Sequence, residues 1–412
     1  MSERDRVAVI GAGVIGCAIG WALAREGRQV VLIDPQEPGV AGASFGNVGH
    51  IASELIEPLP SPALLFGFWR ELFAFGGPLD IPWRRLPRFA LWARGFAAAA
   101  FRRAQNTRHL APLVRPASAS WERLLREVGS AQLLRRHGHY EVWLGRKAQP
   151  RARSEAVHMS ALGVAVRPVA PQLLAAVAAA AGRAGGAGLE FPESAHVLDP
   201  RAVCEVLAGA ALARGAIFRH ARVRALAVGA GGFELSLDGE TLWAPTVIVC
   251  AGVWSAPLLA PFGLHAPLEA ARGYHLELPG HAPLIDAPLV YMDESLVVTP
   301  MAGRLRASGY MEFAAPESAP DPRKPAHLAA QLRRLGYRCP EGTASWVGPR
   351  PVLPDYLPGI GRAPQLPRLF YAIGHQHIGL TLAPVTAELI LALVCGREPA
   401  HDLAPFDLRR FA

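Results

Sequence analysis

The chain has 412 residues, 51% of them hydrophobic and 18% charged, and its 42 basic against 34 acidic side chains leave a net charge of +8. At roughly 100–200 residues per domain, that length suggests two domains or one large α/β unit, and the apolar fraction excludes a disordered or fibrous chain. The charge is local: residues 59 to 110 carry eight arginines against Glu71 and Asp80, so +6 of the +8 falls in one stretch.

In chain order, Val7 to Ile10 is a short apolar run of the kind a buried parallel strand shows, and it stops at Gly11-Ala12-Gly13-Val14-Ile15-Gly16. Val14 to Arg25 reads as a helix ended by Gly27, and Gln29 to Ile33 as a second buried strand closing on Asp34. Residues 59 to 110 suggest two amphipathic helices around a Gly-Gly-Pro turn. Segments 139 to 145, 273 to 278, 289 to 299 and 303 to 313 alternate as antiparallel strands do. The Ala-rich stretch 173 to 188 favours helix, and 315 to 325 is a surface loop by composition. Buried strands recur at Thr246 to Cys250 and Leu369 to Ile373, the latter followed by a helix from about Thr381, its expected N-cap, to Val394. The expected fold is α/β: a Rossmann-like nucleotide domain (1–58, 194–260 and 344–412) interleaved with an α+β substrate domain on a mainly antiparallel sheet (59–193 and 261–343).

Five cysteines, Cys17, Cys204, Cys250, Cys339 and Cys395, include no Cys-x-x-C pair, and no histidine cluster stands at metal-ligand spacing. Reduced thiols are expected, with no metal and no disulfide framework. The segment after Arg6 is broken by glycines and lacks a small-residue cleavage site, so it does not read as a signal peptide. No stretch reaches the 18 or so uncharged apolar residues of a spanning helix, and the expected location is the cytoplasm, with contact at the inner face of the membrane.

The β-α-β unit is the smallest piece able to form a dinucleotide site. Gly11 permits the tight turn, Gly13 lets a pyrophosphate approach the backbone, and Gly16 lets the helix pack on the strand. The helix N-terminus at Val14 and Ile15 offers free N–H groups to phosphates. Asp34, eighteen residues past Gly16, suits ribose hydroxyls, with Pro35 and Gln36 beside it. The fingerprint itself does not separate NAD from FAD.

Further motifs resemble the D-amino-acid-oxidase superfamily of flavoproteins, and within it the bacterial D-amino-acid dehydrogenases. Gly42-Ala43-Ser44-Phe45-Gly46-Asn47-Val48-Gly49, continuing into His50 and Ile51, is similar to the element beside the flavin ring. Val249 to Ser255, with Cys250, Ala251, Gly252 and Trp254, resembles the strand end that touches FAD, and Val223 is a further expected contact. Thr299 to Gly309 and Arg272-Gly273-Tyr274 resemble substrate-domain strands. Gly348-Pro349-Arg350-Pro351 and the run Gly374 to Pro384, with His377, Ile378, Gly379, Leu380 and Thr381, resemble the C-terminal flavin and substrate elements shared with glycine oxidases.

The resemblance implies an FAD enzyme that oxidises an amino or imino acid by hydride transfer from Cα. Some amine oxidases of the superfamily carry a flavin-bonding histidine where Asn47 stands; an amide is no such nucleophile, so non-covalent FAD is expected. Arg350 matches the position that holds the substrate carboxylate, a task suited to a planar guanidinium. Tyr274 is expected to donate to the same carboxylate, the alternative being a place in the core, and His377 to stand on the turn into a helix whose N-terminus faces the flavin.

Oxidase relatives often place a lysine near the flavin, and neither Lys147 nor Lys324 lies in a flavin motif, which favours a dehydrogenase with a non-oxygen acceptor such as a membrane quinone. The C-terminal motif resembles dehydrogenases of cis-4-hydroxy-D-proline and D-proline. An H2O2-producing glycine, sarcosine or D-amino-acid oxidase and a flavoprotein subunit active only in a hetero-oligomer are the alternatives. A nucleic-acid module lacks any accompanying signature. The aromatic and arginine-rich insertion 59 to 110 has the profile of an interfacial membrane anchor, the alternatives being packing on its own domain or a subunit contact.

Overall fold

The apolar runs form the strands they predict. In the computed structural model, which describes residues 6–412, β1 is Arg6–Ile10, α1 is Val14–Arg25 and β2 is Gln29–Asp34. Residues 1–5 lie outside the described residues. β1 is paired on one side with β2 and on the other with Thr246–Val249, all parallel, with Val7 level with both Val30 and Thr246. Ile217–His220 adds beyond β2 and Leu366–Ile373 beyond Thr246–Val249, again parallel, while Gly359–Ala363 closes that edge antiparallel. α1 is buried on nearly every side because the helices Pro200–Leu212 and Gly379–Val394 both pack on it. A side chain at Gly16 would overlap the Gly11 carbonyl, so the third glycine of the motif serves helix-to-strand packing.

A second, larger sheet runs in the order Ser345–Val352, Glu269–Pro279, Arg304–Phe313, Leu296–Met301, Leu289–Tyr291, His139–Trp143, Ala187–Phe191, Arg167–Pro168. Its pairs are antiparallel except Leu289–Tyr291 with His139–Trp143 and the short strand Leu79–Asp80 on Arg304–Phe313. A small third sheet, His50–Ile51 with Ala195–Val197 and Leu134–Arg135, stitches the two halves together.

Several expectations shift. The strand Ser345–Val352, expected within the nucleotide domain from 344 on, is the edge strand of the large sheet. The run 289 to 299 is a hairpin, not one strand, and 173 to 188 is a helix, Pro171–Ala180, followed by the strand Ala187–Phe191. The last long helix begins at Gly379 with Ile378 as its N-cap; Thr381 lies inside the first turn, where its hydroxyl accepts from the Ala52 amide at 3.0 Å. No cysteine is bonded to another; all five are free.

The insertion forms Pro62–Glu71, Leu86–Ala100 and then Arg103–Val114. Ser61 caps the first by accepting from the Leu64 amide at 3.2 Å. Along Leu86–Ala100, Phe89, Trp92 and Phe96 pack on Phe313, Tyr356 and Val352, and the Trp92 indole donates to the Val352 carbonyl at 3.4 Å. Phe66, Phe75, Leu91 and Phe101 are instead more than two-thirds exposed. No described helix is long and apolar enough to cross a membrane.

Candidate active site

One cavity of about 1090 Å³ runs from the C-terminal ends of β1 and β2 to the edge strand of the large sheet. That exceeds the usual small-molecule range of about 300–1,000 Å³, as an extended cofactor with a substrate beside it requires. Its position outside the strand ends follows the general rule for open parallel sheets.

At the β1 end, Gly11, Gly13, Val14 and Ile15 line the cavity and the N-terminus of α1 opens onto it. The Val14 amide donates to Ser44 Oγ at 3.0 Å, which fixes Ser44 against the turn. The Asp34 carboxylate accepts from the Ala12 amide at 2.8 Å and the Gln36 amide at 2.9 Å, so it is aimed by the backbone on both sides of the turn. Burial pushes its pKa up, and those two amides offset only part of the shift. Pro35, Gln36, Ala43, Asn47, His50, Val223, Cys250, Ala251, Gly252, Trp254, Gly374, Gly379 and Leu380 also line the wall. The N-terminus of Gly379–Val394 has no side-chain cap, and its first residues are part of that lining. Two helix N-termini and a backbone-held carboxylate suit an anionic dinucleotide with ribose hydroxyls.

Six expected contacts lie off the cavity. Gly16 packs α1 on its strand, and Gly49 adopts a left-handed φ of 73° where a side chain would meet the Val197 carbonyl. Ile51 and Ile378 enter the core, and Thr381 ties the helix to Ala52. Tyr274 is the informative correction: it is 1% exposed, and its hydroxyl donates to Glu312 at 2.9 Å and accepts from the Asp321 amide at 3.0 Å. Strand residues alternate faces, so Gly273 faces the cavity and Tyr274 the core behind it.

Arg350 and His377 both line the cavity. Arg350 Nη1 donates to the Tyr310 carbonyl at 3.1 Å, and no carboxylate of the described residues pairs with it. Burial lowers its pKa, though a guanidinium stays charged in proteins. Tyr310 and Tyr356, near it, both hold left-handed φ angles, 67° and 59°. His377 stands open to the cavity, where desolvation and then the Arg350 cation pull its pKa down to about 4, and burial holds His375, which meets Thr386 Oγ1 at 3.1 Å, at about 3. The sequence reading missed Arg222, Arg224, Trp346, Glu54, His139, Glu141 and Gln376 as lining residues. Of these only Gln376 stands in a quoted motif; its side chain braces the loop, accepting from the Leu353 amide and donating to the Gly374 and Leu357 carbonyls.

Residues 6–393 match the family model described as FAD dependent oxidoreductase. The chain belongs to that family. A D-amino-acid oxidase of Bradyrhizobium diazoefficiens is 30% identical over 435 residues, spanning 100% of both chains. A D-amino acid dehydrogenase of Paramagnetospirillum magneticum is 31% identical over 424 residues, 98% of this chain and 99% of that protein. Among solved structures, glycine oxidase from Geobacillus kaustophilus shares the fold with a TM-score of 0.77 at 23% identity, covering 98% of each chain. This FAD-dependent oxidoreductase acts on amino acids as a dehydrogenase or oxidase, and FAD is its cofactor.

Proposed function

We propose that the enzyme is a dehydrogenase of small D-amino or cyclic imino acids, of the cis-4-hydroxy-D-proline and D-proline type, that passes electrons to an acceptor other than oxygen. The observation that carries the substrate class is Arg350: a guanidinium in the cavity wall with a backbone carbonyl as partner and no carboxylate. A half-buried cation so placed in the cavity wall calls for an anion from the ligand, and a bidentate carboxylate fits its planar fork. FAD, when bound, supplies the two-electron acceptor for the hydride that leaves substrate Cα.

The chain's own residues do the positioning. Arg350 anchors the carboxylate, which fixes the direction of the Cα–H bond. His377, with its pKa pulled down to about 4, adds no second cation beside it near neutral pH. Burial disfavours an ammonium there, so the substrate nitrogen binds with its lone pair free to stabilise the developing C=N bond. No strong base is needed at Cα.

The choice of acceptor is supported by the lysines. Neither lines the cavity: Lys147 is exposed, and Lys324 is fully buried among Asp80, Glu312 and Asp321. The exposed aromatic and arginine surface of the insertion supports a membrane quinone as that acceptor. The relative named D-amino-acid oxidase supports the competing reading, an H2O2-producing oxidase.

Two measurements test this. Arg350→Met should raise KM for amino acids about 100-fold or more while FAD stays bound; unchanged kinetics overturn the carboxylate assignment. Turnover with a dye acceptor should exceed turnover with oxygen across a panel of D- and L-amino acids that includes all four hydroxyproline isomers. Activity confined to L-isomers, or faster turnover with oxygen, overturns the preferred reading.

A further inference from the structure

Part of the cavity wall is built from four titratable side chains carried by two distant segments: His50 and Glu54 follow the Ser44 turn, and His139 and Glu141 lie on the strand His139–Trp143. The His50 and His139 rings stack with centroids 4.3 Å apart and planes inclined by 24°. Glu54 is 3% exposed; its Oε2 accepts a hydrogen bond from Ser194 Oγ, and its Oε1 accepts none. Oε1 lies 3.2 Å from His50 Nε2, which is likewise buried without a hydrogen-bond partner. His139 Nε2 stands farther away, 3.9 Å from the same oxygen and 3.6 Å from Glu141 Oε1.

A buried donor or acceptor left without a partner carries its full desolvation penalty, and two side by side in a cavity wall define a place where a ligand group must satisfy both. We propose that His50 Nε2 and Glu54 Oε1 form a subsite for a hydroxyl on the ring or side chain of the substrate. A hydroxyl is the small group that accepts from Nε2–H and donates to a carboxylate oxygen at once. A plain methylene in its place leaves both atoms unpaired, so the pair selects the hydroxylated amino or imino acid over its deoxy counterpart. The inference rests on the amino- or imino-acid reading of the same cavity and adds the residues that read the substrate beyond its carboxylate.

A metal ion fits these atoms less well. The donor atoms of His50, Glu54 and His139 lie within 4.8 Å of one another, but lone pairs of two nearly parallel rings do not converge on a single ion. The other acidic cluster, Asp80, Glu312 and Asp321, already holds the Lys324 ammonium at 2.6, 3.1 and 2.9 Å and calls for no ligand.

The test compares kcat/KM of the holoenzyme for cis-4-hydroxy-D-proline and D-proline. Glu54→Gln keeps an oxygen for Ser194 and places an amide NH2 where the free acceptor stood; His50→Met removes the other partner. Each should reduce the hydroxyl preference, the ratio of the two kcat/KM values, by about 10- to 100-fold. A ratio unchanged in both variants overturns the subsite. So does a preference for a cationic side chain, such as D-lysine over D-proline, that Glu54→Gln abolishes, and so does stoichiometric zinc in the purified holoenzyme. If neither ring is oxidised with any acceptor, the functional reading fails instead; the subsite is then judged by the dissociation constants of the two rings, read from the absorbance of the bound flavin, and the same change in ratio is required.

Discussion

The Arg350 guanidinium occupies the space that a side chain at Gly273 would fill on the adjacent strand. The glycine thus leaves the room taken by the guanidinium proposed to hold the substrate carboxylate, although it bears no functional group. Gly273→Ala should push the guanidinium off the Tyr310 carbonyl and raise KM for the substrate about 10- to 100-fold, since a displacement of about 1 Å is enough for such a loss. Steady-state kinetics alongside the flavin absorbance of the purified variant checks this: retained flavin with normal KM would place the anion site elsewhere.

At the expected flavin-bonding position, the Asn47 side chain is spent on the turn, its Oδ1 accepting from the Gly49 amide at 2.8 Å. Cys250, the thiol that lines the cavity, is held protonated by burial, and a thiol is a poor nucleophile. Acid precipitation should therefore release all of the FAD into the supernatant. Yellow colour remaining with the pellet would mean a covalent bond.

How much of this was legible in the sequence divides by distance along the chain. The β1-α1-β2 unit and its glycines were readable because each interaction lies within about thirty residues and each glycine answers a local steric demand. Arg350 was readable only through its motif, since one arginine among forty carries no signal. Tyr274 was misplaced by a single step of strand parity: which face of Glu269–Pro279 meets the cavity is decided by the Ser345–Val352 pairing and by a register shift between Arg272 and Tyr274. His139 and Glu141 stand far from His50 and Glu54 in the chain, and no local pattern announces that the sheets will bring them together.

Burial holds several histidines neutral in the folded chain. His275 is pulled to about 3 by burial first and by the Arg306 cation second, His375 to about 3 and His196 to about 4, chiefly by burial. Their folded pKa values lie below the unfolded value of about 6.5, so below that pH the unfolded chain binds more protons. Stability is then full above about pH 6.5 and declines as the pH falls toward 4, by about 1.4 kcal/mol per pH unit for each such group. His275→Phe keeps a ring against Trp346 and should remove about one proton from that slope. Urea unfolding at about pH 5, 6 and 7 reads it; an identical slope in the variant would show that His275 titrates normally.

The insertion presents two different faces, and only one is accounted for by the fold. Phe89, Trp92 and Phe96 cover the end of the strand that carries Arg350, whereas Phe66, Phe75, Leu91 and Phe101 stand exposed among Arg70, Arg84, Arg94 and Arg102, which are exposed too. Large apolar side chains bordered by arginines suit the interface of an anionic bilayer, where apolar burial and attraction to headgroups add. The holoenzyme should sediment with anionic vesicles at low salt and be released at high salt, because the electrostatic part is screened. Phe66→Ser combined with Leu91→Ser should weaken the partition by about 10-fold or more, at roughly 1.5–3 kcal/mol for each side chain that is fully buried, while dye-linked turnover persists because neither residue lines the cavity. Wild-type enzyme that stays in the supernatant at low salt would overturn the membrane assignment of this surface.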